Sequence, residues 1–78
     1  MTAEQLRGAR AMLRMDQAEI AKRAGVSLET IKRLERLQGA LDGSRVGTIS
    51  AIRAALEAAG VEFIDENGGG AGVRLRKE

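Results

Sequence analysis

The 78-residue chain contains no cysteine, histidine, tryptophan or tyrosine, and its only aromatic residue is Phe63. Without cysteine, neither a disulfide nor a thiolate metal site can supplement the core. For catalysis the chain offers no histidine, cysteine or tyrosine. Asp65 and Glu66 are adjacent in sequence, which is not the spatial cluster of carboxylates that a metal needs. The run Gly68-Gly-Gly-Ala-Gly72 lacks the lysine and following helix of a phosphate-binding loop. The expectation is therefore a non-enzyme with no cofactor and no metal. One aromatic residue also speaks against holding single strands or RNA by stacking bases. No apolar run approaches the ~20 residues of a membrane span, and no signal-like segment appears. The expected address is the cytoplasm, with the nucleoid as its setting and no membrane partner.

What is present is alanine, arginine and helical periodicity. Seventy-eight residues make one domain. Thirteen of the apolar residues are alanines, which bury little area, so the core is small. Chains of this size often gain stability by oligomerising. The net charge is only +2, so the placement of the cations matters more than their total. Lys22, Arg23, Lys32, Arg33 and Arg36 all fall within fifteen consecutive residues.

Those cations lie in or just beyond the stretch around which the chain is organised, residues 17–35. Asp16 is an N-cap, and Glu19 three residues later predicts a capping box. Ile20, Ala21 and Ala24 share one face of the helix that follows. Gly25 stands where a left-handed residue would stop that helix and turn the chain. Ser27 caps a second helix whose inward face is Ile31 and Leu34, with Glu35 alongside. Its outward face carries Leu28, Glu29, Lys32, Arg33 and Arg36. Two short helices joined by a three- to four-residue glycine-bearing turn form a helix-turn-helix, whose second helix can enter a DNA major groove.

Elsewhere, residues 2–14 predict a first helix, with Thr2 and Gln5 as a capping box. Leu6, Ala9 and Leu13 form its buried stripe, with Arg10 beside it. Residues 39–47, with three glycines, Asp42 and Ser44, predict a loop that Leu41 and Val46 tuck against the core. Residues 48–59 predict a helix ended by Gly60. Its stripe of Ile49, Ile52, Ala55, Leu56 and Ala59 is expected to close the core over the first and third helices. Beyond residue 60 the pattern changes to loose alternation in 61–65, a glycine-rich connection, and clean alternation in 73–77. That is a hairpin signature, with Val61, Phe63, Val73 and Leu75 inside and Arg74 and Arg76 outside. The alternative is a flexible glycine linker to a disordered tail. The reading divides the chain into a DNA-binding domain, residues 1–60, and a hairpin, residues 61–78, as a dimerisation element.

The pattern Gln17-Ala18-Glu19-x-Ala21, Gly25-Val26-Ser27, Ile31 and Leu34-Glu35 resembles the Xre family, the domain of lambdoid phage repressors and Cro. The likeness covers roughly residues 3–59. It implies a mainly α fold, a four- to five-helix phage-repressor-like domain, here followed by the C-terminal β-hairpin. It also implies that Ser27, Leu28, Glu29 and Arg33 line the major groove and that Gln17 touches a phosphate. Arg10 and Glu35 occupy positions that form a buried ion pair in several phage members. Many members end the third helix in Glu-x-Gly. Here Arg36-Leu37-Gln38 intervenes before Gly39, which predicts a longer third helix.

The chemistry of the side chains gives each role a physical content. Arg33 can donate to guanine O6 and N7, the commonest specific contact, worth ~1–3 kcal/mol of discrimination. The alternative is a solvated arginine paired with Glu29 one turn back. Glu29 can accept from cytosine N4 or hold Arg33 in place. Leu28 can meet a thymine methyl or a protein. Thr30, Lys32, Arg36 and Arg45 are phosphate candidates, which set register and affinity rather than sequence. Gln17 joins them because the N–H groups opening a helix favour anions. Phe63, Ile64, Val73 and Leu75 are dimerisation candidates, Ile64 because it faces away from the hairpin's own inner face. The function expected is a homodimeric regulator, a repressor, binding double-stranded DNA at an inverted repeat. The alternatives are the antitoxin of a toxin–antitoxin pair and a protein-binding antagonist that keeps the fold.

Overall fold

The computed structural model describes residues 1–41 and 43–77. Asp42, read above as part of the glycine-bearing loop, and Glu78, the last residue of the expected hairpin element, lie outside the described residues. Four helices come first: α1 (Ala3–Met12), α2 (Gln17–Ala24), α3 (Leu28–Glu35) and α4 (Val46–Ala59). An antiparallel hairpin of β1 (Val61–Ile64) and β2 (Gly72–Leu75) follows. The domain is thus mainly helical with a C-terminal hairpin, and the glycine run forms the hairpin's connection rather than a linker to a disordered tail.

Three of the four helix starts follow from a side chain that satisfies an orphan backbone N–H, while α4 begins after Arg45 with no side-chain cap. Thr2 Oγ1 accepts from Gln5 N at 3.0 Å while Gln5 Oε1 accepts from Thr2 N at 2.9 Å, a complete capping box. Asp16 accepts from Glu19 N at 2.8 Å. The expected reciprocal half is missing, because the Glu19 carboxylate takes Arg23 Nε at 2.8 Å instead. A cation one turn along outcompetes a neutral backbone N–H for that carboxylate. Ser27 Oγ accepts from Thr30 N at 3.1 Å. Between α2 and α3, Gly25 adopts φ 68° and Val26 N bonds back to Ala21 O at 3.0 Å. That six-to-one bond is a Schellman turn, and Val26 packs beneath it on the core.

α3 is shorter than the run after Glu35 led one to expect. Arg36 N and Leu37 N bond three residues back, to Arg33 O and Leu34 O, which tightens the last turn and ends the helix. The Arg7 guanidinium takes the freed carbonyls of Glu35 and Leu37, so continuing the helix offers those oxygens nothing further. The chain then returns to the N-terminus. Ala3 N bonds to Gly39 O at 2.9 Å, Leu41 N to Met1 O at 3.2 Å, and Gly39 N to the Glu4 carboxylate at 2.9 Å.

Two further expectations are corrected here. α4 starts at Val46, and that residue is 81% exposed rather than tucked inward. It precedes Ile52 by six residues and therefore falls on a different face of the helix. Leu41 alone, 4% exposed, closes that side of the core. α4 also packs chiefly on α2 and β1, not over α1 and α3. The hairpin takes the place on α1.

Leu6, Ile20, Ile31, Leu34, Ile52, Leu56 and Val61 are fully buried. Each such side chain contributes roughly 1.5–3 kcal/mol of burial. The hairpin pairs Val61 with Leu75, Glu62 with Arg74, Phe63 with Val73 and Ile64 with Gly72. Gln5 fastens its loop end to α1, donating to Gly72 O at 2.9 Å and Ile64 O at 3.3 Å. A Cβ on Gly8 would lie 3.3 Å from Val73 Cγ2, so the absence of one lets β2 come close to the helix. Leu75, expected inside, is 55% exposed. The helices cover β1 and the first half of β2, and Leu75 lies past their reach. Among the described residues, no helix is long and apolar enough to cross a membrane.

Candidate nucleic-acid interface

α3 presents one face to solvent and is seated by the other. The seat is polar as well as apolar. Arg10, from α1, grips Glu35 with two bonds: Nε to Oε2 at 2.8 Å and Nη2 to Oε1 at 2.9 Å. Its remaining nitrogen, Nη1, donates to Met15 O at 3.1 Å. The bond from Glu35 raises the already high pKa of Arg10, so the guanidinium stays charged. Gln17 Nε2 donates to Glu35 Oε1 at 3.2 Å. The expected pair of Arg10 and Glu35 is therefore present, with a third member. Glu35 is buried, and a buried carboxylate left with fewer donors would cost several kcal/mol. The network thereby fixes the roll of α3 and ties the first residue of α2 to it.

The outward face carries Leu28, at the limit of exposure (36%), with Glu29, Arg33 and Arg36 exposed and Thr30 and Lys32 half-buried. Ser27 is exposed and shares a 2.8 Å hydroxyl contact with Thr30. The sequence-predicted residues of the second helix are thus gathered on one short, rigid element. The alternative pairing of Arg33 with Glu29 is not formed. Among the described residues, Glu29, Lys32, Arg33, Arg36 and Arg45 enter no ion pair, whereas Arg7, Arg10, Arg23, Arg53 and Arg74 each hold a carboxylate. Lys22 on α2 and Arg14, Arg76 and Lys77 likewise hold no carboxylate among the described residues, so what distinguishes α3 and its C-cap is that three unpaired cations, Lys32, Arg33 and Arg36, stand within five consecutive residues. Arg45 stands apart from α3 as the exposed residue preceding α4. Gln17 is half-buried with one amide hydrogen used by Glu35, which orients its side chain.

The four hairpin candidates separate into two pairs. Phe63 and Val73 are partly buried against the core, and the Arg53 guanidinium lies 5.0 Å from the Phe63 ring centroid. Ile64 is half-buried and Leu75 exposed.

Two positioning residues escaped sequence reasoning. Arg7 caps the C-terminal end of α3, and Gln5 joins α1 to the hairpin while completing its own cap. For Arg7 a signal existed. Glu4, Arg7 and Arg10 recur at three-residue spacing beside the Leu6–Ala9 stripe, which makes a polar ridge at the border of the core. Nothing local distinguishes Gln5 from any other capping-box glutamine. Compared with models of known protein families and with curated proteins, the sequence matches none of them.

Proposed function

We propose that the protein is a homodimeric regulator of transcription, a repressor, that binds double-stranded DNA sequence-specifically through a phage-repressor-like helix-turn-helix. The observation that carries this reading is the unpaired basic face of α3, on a helix held from behind by Arg7, Arg10 and Gln17. A cation kept out of ion pairs in the free protein meets a phosphate or base edge without first losing a partner. A fixed helix loses little conformational entropy when it is bound.

In the proposed complex α3 lies in the major groove. Arg33 donates to guanine, Glu29 accepts from cytosine N4, and Leu28 packs on a thymine methyl. Ser27 lies at the start of the helix, at the groove's edge. Lys32, Arg36, Thr30, Arg45 and Gln17 meet phosphates and set the register. Two-fold symmetry places half-sites about one helical turn, ~10 bp, or a multiple of it, apart. Each cation that meets a phosphate adds ~0.9 to the slope of log affinity against log salt.

Selection of bound sequences from a random DNA pool, repeated with Arg33→Ala, tests the reading. An inverted repeat is expected, with a guanine preference lost in the variant. A pool that emerges unenriched overturns the reading and leaves the protein-binding antagonist.

A further inference from the structure

The hairpin leaves a strand edge open. Its sheet has two strands, so each has one neighbour and one free side. Arg76 N bonds to Gly60 O at 2.7 Å, which fixes the alternation of the ladder and makes Glu62–Arg74 and Ile64–Gly72 its bonded pairs. Val73 and Leu75 therefore turn their N–H and C=O groups away from β1. Among the described residues no backbone group bonds to them there, and Gln5 reaches only Ile64 and Gly72 at the loop end. β1 is the more buried strand, whereas β2 becomes exposed along its second half. The accessible edge is that of β2.

The side chains along this edge have one sign of charge. Arg74 and Arg76 are exposed and stand two residues apart, with Lys77 next. Arg74 gives Nε and Nη2 to Glu62, and Arg76 gives Nη2 to Glu57 O, which leaves N–H groups of both unused. Between them Leu75 is 55% exposed. With Ala58, Ala59 and Gly60 it forms the apolar side of a groove of about 450 Å³ whose rim is Arg76 and Lys77.

We infer that the free edge of β2 docks an extended segment of a partner protein in which acidic residues alternate with apolar ones. The edge that is already filled displays the matching pattern. There Val61, Glu62 and Phe63 stand opposite Leu75, Arg74 and Val73, apolar against apolar and acid against base. A third strand on the other side meets the same three side chains in the same alternation and takes up the free backbone groups. A second copy of β2 does not fit, because it brings arginine against arginine. Charge on a short edge strand guards against such self-pairing, which accounts for the arginines but not for an exposed leucine between them. Duplex DNA fits less well than a peptide. Its phosphates offer no N–H groups to the carbonyls of Val73 and Leu75, and their charged oxygens leave Leu75 uncovered. The site lies on a different element from α3 and adds a protein-binding function that is independent of the DNA-binding reading.

The probe is a dye-labelled peptide with the sequence of residues 61–66, Val-Glu-Phe-Ile-Asp-Glu, titrated into the full chain. Fluorescence anisotropy gives the affinity, and backbone amide NMR gives the place. Binding is expected to shift the amides of residues 73–77 and to slow hydrogen exchange at Val73 and Leu75. Arg74→Glu is expected to weaken it roughly tenfold, through a lost charge-assisted contact. Leu75→Pro removes an edge N–H and spares the ladder bonds to β1, so it should abolish binding that Leu75→Val retains, with the amides of Glu62 and Arg74 still protected. Absence of binding, equal binding of a peptide whose acids are replaced by lysine, or equal binding by Leu75→Pro and Leu75→Val overturns the inference. So do peptide shifts centred on α3, or duplex DNA that shifts the β2 amides in place of the peptide. DNA selection on the same protein keeps the two proposals apart. A chain that binds the peptide and enriches no DNA removes only the DNA-binding reading. One that enriches an inverted repeat and ignores the peptide removes only the docking site.

Discussion

α3 and α4 both expose one face and bury the other, yet they are held and presented by opposite means. α3 is eight residues long and is gripped through polar groups, with Glu35 held by Arg10 and Gln17 and its end capped by Arg7. Its outward face is charged and left unpaired. α4 is fourteen residues long and is held through an apolar stripe centred on Ile52 and Leu56, and the charges on its outward side, Arg53 and Glu57, are bonded to one another. Hydrogen bonds are directional and apolar packing is not, so a polar grip sharpens the roll of a helix whose apolar stripe has already chosen which side turns inward. A helix that must offer particular side chains to a ligand gains from the first.

The sharpest way to break the contrast is to damage each grip in turn. Leu56→Ala, on the apolar side of α4, is expected to cost about 3 kcal/mol, from lost burial and the cavity left behind. Chemical denaturation should register it as a lower midpoint with an unchanged slope. Arg10→Ala strips Glu35 of its main partner. Arg10 is partly exposed, with 24% of its side chain accessible, so water offsets part of the penalty. About 2 kcal/mol is expected, below the larger values of fully buried pairs. A double-mutant cycle with Glu35→Gln should return a coupling near that figure; a coupling close to zero would mean that the network is not what seats α3.

The outward faces should respond in the reverse sense. Arg33→Ala is expected to move stability by less than ~0.5 kcal/mol, because the side chain is exposed and unpaired. Its guanine preference should nevertheless fall by the ~1–3 kcal/mol of a bidentate contact. A variant that loses stability while keeping its sequence preference would invert the contrast.

The smallest effect concerns acid. The Glu4 carboxylate is held below its ordinary pKa by its own backbone N–H and then by Gly39 N, 2.9 Å away, with Arg7 beside it. A carboxylate whose pKa is depressed on folding adds stability that is fully present above its unfolded pKa. That contribution fades as pH falls through the ordinary glutamate value, ~4.3, and on through the lower folded one. Glu4→Gln should remove this part of the acid sensitivity of the loop at Gly39. Amide exchange at Gly39, followed from pH 6 down to pH 3, is the measurement that would detect it.

Most of the local structure could be read from neighbouring residues. Caps at Thr2, Asp16 and Ser27 and the left-handed Gly25 and Gly60 are decided within a few residues, where the backbone groups to be satisfied lie close to the side chains that satisfy them. The periodic stripes that supply Leu6, Ile20, Ile31, Leu34, Ile52 and Leu56 to the core belong to the same class. What neighbouring residues could not decide were competitions between near and distant partners. Glu19 had two donors within one turn, and the cation won. α3 could have continued past Glu35 until Arg7, twenty-eight residues earlier, took its terminal carbonyls. Val46 could have faced inward had α4 begun where the periodicity suggested.

The sequence by itself determined the composition of each helix face, because hydrophobic spacing at 3.6 residues leaves little freedom about which side turns inward. It also determined that α3 would carry Lys32 and Arg33, and that the one cation of α4, Arg53, would stand one turn from Glu57. Helical spacing alone puts Glu4 beside Arg7, Glu19 beside Arg23 and Arg53 beside Glu57, but only the tertiary structure decided that Glu35 went to Arg10 and Glu62 to Arg74, and that Arg33 stayed unpaired although Glu29 stands one turn away. Glu4, Glu19, Glu35, Glu57 and Glu62 each lie against an arginine, and none of those arginines belongs to α3. The basic face is a property of the chain. Its availability to a ligand is a property of the fold.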